Sequence, residues 1–133
     1  MPKLTETKPL SGTRILVAED NAVLAFDMIT LLRQAGAHVL GPAMTLNHAI
    51  ALAKAESPAC GVLDVALRDG SVFPAAEVLR DQGAGIVFYT GHGNPELLKR
   101  EWPEAHVLLK PAPHGLLLKA VIAACRGLGF DVT

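Results

Sequence analysis

Glu19-Asp20, Asp64, Thr90 and Lys110 are the residues whose types and spacing could do chemistry together. Each follows a short apolar run: Arg14-Ile-Leu-Val-Ala18, Cys60-Gly-Val-Leu63, Ile86-Val-Phe-Tyr89 and Val107-Leu-Leu109. If those runs are neighbouring parallel strands, three carboxylates, a hydroxyl and an ammonium converge on one edge of one sheet. Carboxylates about 5 Å apart repel by roughly 3 kcal/mol per pair at an effective dielectric of about 20, so a structural role alone would not assemble them. A hard divalent cation removes that penalty, and Mg²⁺ suits a few oxygen ligands plus waters. Glu19, Asp20 and Asp64 are the expected ligands, with another oxygen from the backbone carbonyl of Ala66. An aspartate that takes a phosphoryl group must lie beside such an ion and face groups that balance the charge growing on the equatorial oxygens. Asp64 is placed for that role. Lys110 would pair with it as a point charge, Thr90 would donate its hydroxyl to a phosphoryl oxygen, and Gly91 leaves open space and a free amide for the incoming group.

The elements that must position these residues are legible as alternating apolar and amphipathic runs. Strands are predicted near 14–18, 37–41, 60–64, 85–89 and 106–109, and helices near 22–35, 46–56, 72–81, 95–101 and 114–127. Strand-then-helix repeats of this kind predict an α/β, doubly wound, flavodoxin-like domain with a five-stranded parallel sheet in the order 2-1-3-4-5. The switch point then lies beside the first and third strands, where ligands bind outside the carboxyl ends. In the first helix Val23, Leu24, Ile29, Leu31 and Leu32 form the expected apolar side, capped by Asn21 and ended by Gly36. Thr45 caps the second helix and Ser57-Pro58 closes it. Asn94-Pro95-Glu96 opens a short fourth helix that Pro103 stops.

With 133 residues the chain is long enough for one core, and its 50% hydrophobic content suits a sheet covered on both faces. The expected boundaries are a disordered lead over 1–12, one domain over 13–128 and a tail over 129–133. No run approaches the ~20 apolar residues that span a bilayer and no secretory signal is visible, so a cytoplasmic protein without membrane contact is expected. The net charge of −1, without a basic block, disfavours direct nucleic-acid binding. Cys60 and Cys125 read as packing residues rather than as a disulfide framework or a zinc site.

The set Glu19-Asp20, Asp64, Thr90 and Lys110-Pro111, in this order at these strand ends, resembles the CheY-like receiver domain of two-component response regulators over about residues 13–128. The resemblance implies Mg²⁺ held by the acidic pair and Asp64, and phosphorylation of Asp64 by a sensor histidine kinase or a histidine phosphotransfer protein. It further implies a downstream protein target and a cis bond at Lys110-Pro111. Phe88-Tyr-Thr-Gly-His-Gly93 is also similar to the Phe-x-Thr-Gly signature (FAT GUY) of an alphaproteobacterial single-domain subgroup, which would point to a kinase of the HWE type. Two departures stand out. Receivers of the common type place Tyr or Phe three residues before the lysine, where this chain has Val107, so coupling of Thr90 to a rotating aromatic is not expected. Ala112-Pro113 after Lys110-Pro111 stiffens the entry to the last helix.

On this reading the protein is not an enzyme acting on a separate substrate but a phosphoacceptor that supports its own Mg²⁺-dependent phosphorylation and dephosphorylation. It would be a single-domain switch of protein partners, with no output domain after the last helix. The rivals are an aspartyl-phosphate hydrolase, which would usually carry a second aspartate where Ala66 stands, and a phosphorylation-independent module that keeps only the fold. A fragment of a longer regulator is a third. His92 is either a surface histidine or a modulator of water access to the phosphoryl group, whereas His38, His48, His106 and His114 have no ligand-like spacing. Trp102 and Val107 are expected at a partner surface near the fourth helix and fifth strand, local packing being the alternative for Trp102. Leu116-Leu-Leu118 either broadens the core face of the last helix or reaches an interface.

Overall fold

Short leucine- and valine-rich runs can lose both faces to water only when helices cover the sheet on each side. The computed structural model describes residues 8–91 and 93–128. His92 and the tail 129–133 lie outside the described residues, as does most of the expected lead. In chain order the elements are β1 (Arg14–Ala18), α1 (Ala22–Gln34), β2 (His38–Ala43), α2 (Leu46–Glu56), β3 (Cys60–Leu63), β4 (Ala66–Leu67), β5 (Gly70–Ser71), α3 (Phe73–Asp81), β6 (Gly85–Thr90), α4 (Pro95–Glu101), β7 (His106–Leu109) and α5 (His114–Cys125). The main sheet has the order β2-β1-β3-β6-β7 and all its pairs are parallel. This is the flavodoxin-like order expected, with β4 and β5 forming a separate small hairpin.

Alternation along the strands divides the core in two. Ile15, Val17, Cys60, Val62, Val87 and Tyr89 pack with Met28 and Leu32 of α1 and Leu117 and Val121 of α5. Leu16, Leu63, Ile86 and Phe88 point the other way and pack with residues of α2, α3 and α4 such as Ala49, Leu79 and Leu98. The caps follow from the sequence. Asn21 accepts from the Leu24 N–H at 3.1 Å, Thr45 from the His48 N–H at 3.1 Å, and Asn94 from the Glu96 N–H at 3.0 Å. Gly36 follows α1 at φ 99°, and Ser57 closes α2 in the left-handed region. No helix among the described residues is long and apolar enough to cross a membrane.

Four expectations need correction. The buried stripe of α1 is Ala25, Met28, Ile29 and Leu32, so Val23 is turned out with Phe26, at 77% and 73% exposure. The lead is not free as far as Leu10, whose side chain is buried and whose N–H donates to the Ala35 carbonyl at 2.8 Å. The edge strand β2 runs on to Ala43 through a cis Gly41-Pro42 bond, because proline interrupts nothing where no further strand pairs. Gly41 is required there: its φ is 112°, and a Cβ would lie 2.7 Å from the Val17 carbonyl oxygen.

The fourth concerns the expected partner surface, because Trp102 and Val107 are both buried. Trp102 stacks on Phe73 with ring centroids 6.1 Å apart and meets Phe88 edge-on at 5.6 Å. The Arg80 guanidinium lies over its ring at 3.6 Å and is held at 2.7 Å by Glu104. Val107 pairs in register with Phe88 and faces the same cluster. The short α4 brings the tryptophan that caps its C-terminus back onto α3 and β6, where the large apolar surface of the ring is almost wholly buried. In α5, Leu117 is in the core and Leu116 and Leu118 pack partly against it, which is the broad-face alternative.

Candidate functional site: an acidic pocket at the strand ends

The strand ladder carries each acidic residue to the same edge. The Glu19 N–H donates to the Ala43 carbonyl at 2.9 Å as β1 ends, and the Asp64 N–H donates to the Ala18 carbonyl at 2.9 Å as β3 ends. One carboxylate oxygen from each of Glu19, Asp20 and Asp64 can be chosen so that all three lie within 4.8 Å of one another. Glu19 and Asp64 are buried, and Asp20 is partly exposed. From the other side, β7 ends beside β6, where the Lys110 N–H donates to the Thr90 carbonyl at 3.0 Å. The Lys110 Nζ reaches across β6 to bond both Glu19 Oε1 and Asp64 Oδ2, the latter at 2.8 Å. Thr90 is fully buried, and the Lys110-Pro111 bond is cis.

The charges in this pocket do not balance. Burial pushes the Glu19 carboxyl up, while its bonds from Lys110 and from the Asn21 N–H pull it back only in part. Burial also works against the Lys110 ammonium, but the hydrogen bonds to Asp64 and Glu19 outweigh it and raise the pKa above the usual lysine range. One ammonium thus faces three carboxyl groups. Asp64 Oδ1 is buried without a hydrogen-bond partner among the described residues, a condition that costs about 1–3 kcal/mol unless something supplies positive charge or a donor. An all-oxygen donor set, an excess of negative charge and one unpaired buried oxygen fit a hard divalent cation.

Of the other expected site residues, Ala66 opens β4 two positions beyond Asp64 and is exposed. Gly91 follows Thr90 at the surface, and a Cβ there would meet only the Lys110 Cβ at 4.0 Å, so packing does not demand glycine. His92 lies outside the described residues.

Two contributors were not visible in the pattern of strand ends. Tyr89 faces the α1–α5 side, opposite to Phe88, and its hydroxyl accepts the Ala112 N–H at 3.1 Å. It thereby holds the turn that carries Lys110, whose Nζ lies 5.8 Å from the ring centroid. The second is the β4–β5 hairpin, which pairs Ala66 with Ser71 and Leu67 with Gly70. Asp69 at its tip accepts from the Leu46 N–H and from the Asn47 N–H, the latter at 3.2 Å, so the loop after Asp64 is tied to the start of α2. The hairpin's two-residue loop is Arg68-Asp69, and Gly70, which opens β5, has a positive φ of 146°.

No family model matches the chain. It is 33% identical over 89 residues to the transcriptional regulatory protein PdtaR of Mycobacterium tuberculosis, covering 65% of this chain and 43% of that protein. Among solved structures it is similar to the response regulator PhyR from Brucella abortus, with 30% identity, a TM-score of 0.67, and coverage of 86% of this chain and 46% of that one. It is also similar to a response regulator receiver protein from Sinorhizobium medicae, with 26% identity, a TM-score of 0.78, and coverage of 86% and 94%. The chain thus spans under half the length of PdtaR and of PhyR. These likenesses do not single out the Phe-x-Thr-Gly subgroup. In the order of its sheet and in the acidic pocket at the carboxyl edge, the chain is similar to the receiver domains of response regulators.

Proposed function

We propose that this domain is a phosphorylation switch in two-component signalling: it accepts a phosphoryl group on Asp64 and changes its protein partner in response. The observation that carries the reading is the state of Asp64, a buried strand-end carboxylate with one oxygen bonded to Lys110 and the other without a hydrogen-bond partner. A purely structural aspartate would satisfy both oxygens.

The donor is the phosphohistidine of a sensor histidine kinase, of the HWE type if the narrower resemblance holds, or of a histidine phosphotransfer protein. An Asp64 oxygen forms a bond to phosphorus as the bond to the donor imidazole breaks, and the ring nitrogen keeps the electron pair and takes up a proton. Glu19, Asp20, Asp64 and the Ala66 carbonyl would hold Mg²⁺, which supplies neutralising charge to the phosphoryl oxygens. Lys110 exchanges part of its contact with the carboxylates for the phosphoryl group, and Thr90 donates its hydroxyl to it. Hydrolysis returns the carboxylate and inorganic phosphate. Moving a two-state equilibrium from 1:99 to 99:1 takes about 5.5 kcal/mol of differential stabilisation, which several charge-assisted contacts supply.

Acetyl phosphate with Mg²⁺ should add one acid-stable, hydroxylamine-labile phosphoryl group, and chelation of the metal or the change Asp64→Asn should abolish it. Labelling that survives Asp64→Asn would overturn the assignment. Rapid multiple turnover of a phosphomonoester without any phosphodonor kinase would favour a hydrolase instead.

A further inference from the structure

The amino end of the sheet, opposite the carboxylates, holds the chain's two cysteines together. Cys60 is the first residue of β3 and is fully buried, paired in register with Ile15 on one side and Gly85 on the other. Registered neighbours in a parallel sheet point to the same face. At Gly85 that face is taken by α5, because a Cβ there would lie 2.2 Å from the Ala124 carbonyl oxygen. The last turn of α5 therefore presses on the sheet at the register of Cys60, and the next residue along it is Cys125. Cys60 belongs to the core cluster on that face and Cys125 packs against it, with a hydrogen bond between the two thiols as the leading cause of their shifted acidities.

The two sulfurs are not equivalent. The shared hydrogen bond, and burial after it, raise the Cys60 thiol well above the usual range. The same bond lowers the Cys125 thiol against the effect of burial, with help from the neighbouring Arg126 charge. Cys125 is partly exposed and lines an open surface cavity of about 910 Å³ with Ala59, Gly85 and Leu128, whereas Cys60 is sealed under α5. Thiolate character and access together decide which cysteine meets an oxidant first.

We propose that Cys125 and Cys60 are a redox-active pair in which a hydroperoxide oxidises Cys125 and Cys60 then closes an intrachain disulfide. The Cys125 thiolate attacks one peroxide oxygen, the O–O bond breaks, and with one proton the products are a sulfenic acid on Cys125 and an alcohol, or water where the oxidant is hydrogen peroxide. The Cys60 sulfur then attacks the Cys125 sulfur, its own proton leaving with the hydroxyl group as water. Two thiols are oxidised and one peroxide is reduced. The product ties the last turn of α5 to β3, the strand whose other end carries Asp64. The pair acts without any requirement for phosphorylation of Asp64.

The test is hydrogen peroxide treatment of the folded chain of residues 1–133, followed by thiol titration in denaturant and peptide mapping. Both thiols should disappear, a Cys60–Cys125 cross-link should be found in monomeric protein, and dithiothreitol should restore both. In Cys60→Ala the reaction should stop at a dimedone-trappable sulfenic acid on Cys125, and in Cys125→Ser the remaining Cys60 should stay reduced. Two thiols that persist in the treated wild type, sulfinic acid on Cys125 with Cys60 still free, or cross-linked dimers in place of the intrachain bond would each overturn the proposal. The wild-type result stands without the variants, so poor folding of Cys60→Ala would not leave the proposal unanswered.

Discussion

The carboxyl edge of the sheet and the aromatic flank around Trp102 are built on opposite rules. At the flank, Phe73, Phe88 and Trp102 meet in stacked and edge-on geometries, and Arg80 is paired with Glu104 above them. Among the described residues, no buried side-chain nitrogen or oxygen there lacks a hydrogen-bond partner. At the edge, Glu19 and Asp64 are buried beside each other, share one ammonium and leave one oxygen unpartnered. The flank uses its burial for stability, whereas the edge holds charges whose burial costs stability, a cost that a bound cation would offset. On the proposed function the contrast places rearrangement at the edge: it is cheap where contacts are incomplete and expensive where rings are locked together.

Removing the flank should produce the largest effect on folding and leave the chemistry in place. Trp102→Ala should cost about 3–5 kcal/mol in urea unfolding, while the folded fraction still labels with acetyl phosphate. Lys110→Ala should cost less, about 2 kcal/mol, because two carboxylates are left without their counter-charge, and the loss should shrink in Mg²⁺. It should also abolish phosphorylation-dependent partner binding; normal binding would contradict the role of Lys110.

Val107→Tyr places a larger side chain in a filled position next to Phe88, and should cost about 1–2 kcal/mol without raising the extent of Asp64 labelling. If only the tyrosine variant switches partners, the flank is part of the signalling path after all and the contrast fails. The smallest effect belongs to Asp69, whose carboxyl is held below the usual range by the backbone N–H groups of Leu46 and Asn47. A depressed carboxyl stabilises the fold above its unfolded pKa and loses that contribution as pH falls through the folded value. Hydrogen exchange in the first turn of α2 should therefore quicken on acidification below the ordinary aspartate range, and Asp69→Ala should show the faster exchange already at neutral pH.

The edge was legible in the sequence because its residues obey a simple rule, a polar side chain immediately after an apolar strand, repeated at four strands. The order of the sheet and the helix caps at Asn21, Thr45 and Asn94 followed from equally local signals. The flank was not legible, since nothing in the spacing of Trp102 and Phe73 says that a short α4 folds its last residue onto α3. The α1 stripe differs from its expected course because Val23 and Leu24 extend the apolar run at the helix start, whereas contact with the sheet buries Ala25 and Met28 instead. Tyr89 acts through one hydrogen bond and Asp69 through two, to backbone groups distant in the chain at Ala112 and at Leu46 and Asn47, and no periodicity records such bonds. Cys60 and Cys125 read as separate packing residues because their meeting depends on the close approach at Gly85.

The central claim is that Asp64, among the three clustered carboxylates, is the residue that carries phosphate. Borohydride reduction of the acetyl phosphate-treated protein converts an aspartyl phosphate to homoserine, which peptide sequencing by mass spectrometry locates directly. The account predicts homoserine at position 64 alone, dependent on Mg²⁺. Reduction at Asp20 or Glu19, or none anywhere in protein that has taken up label, would contradict it.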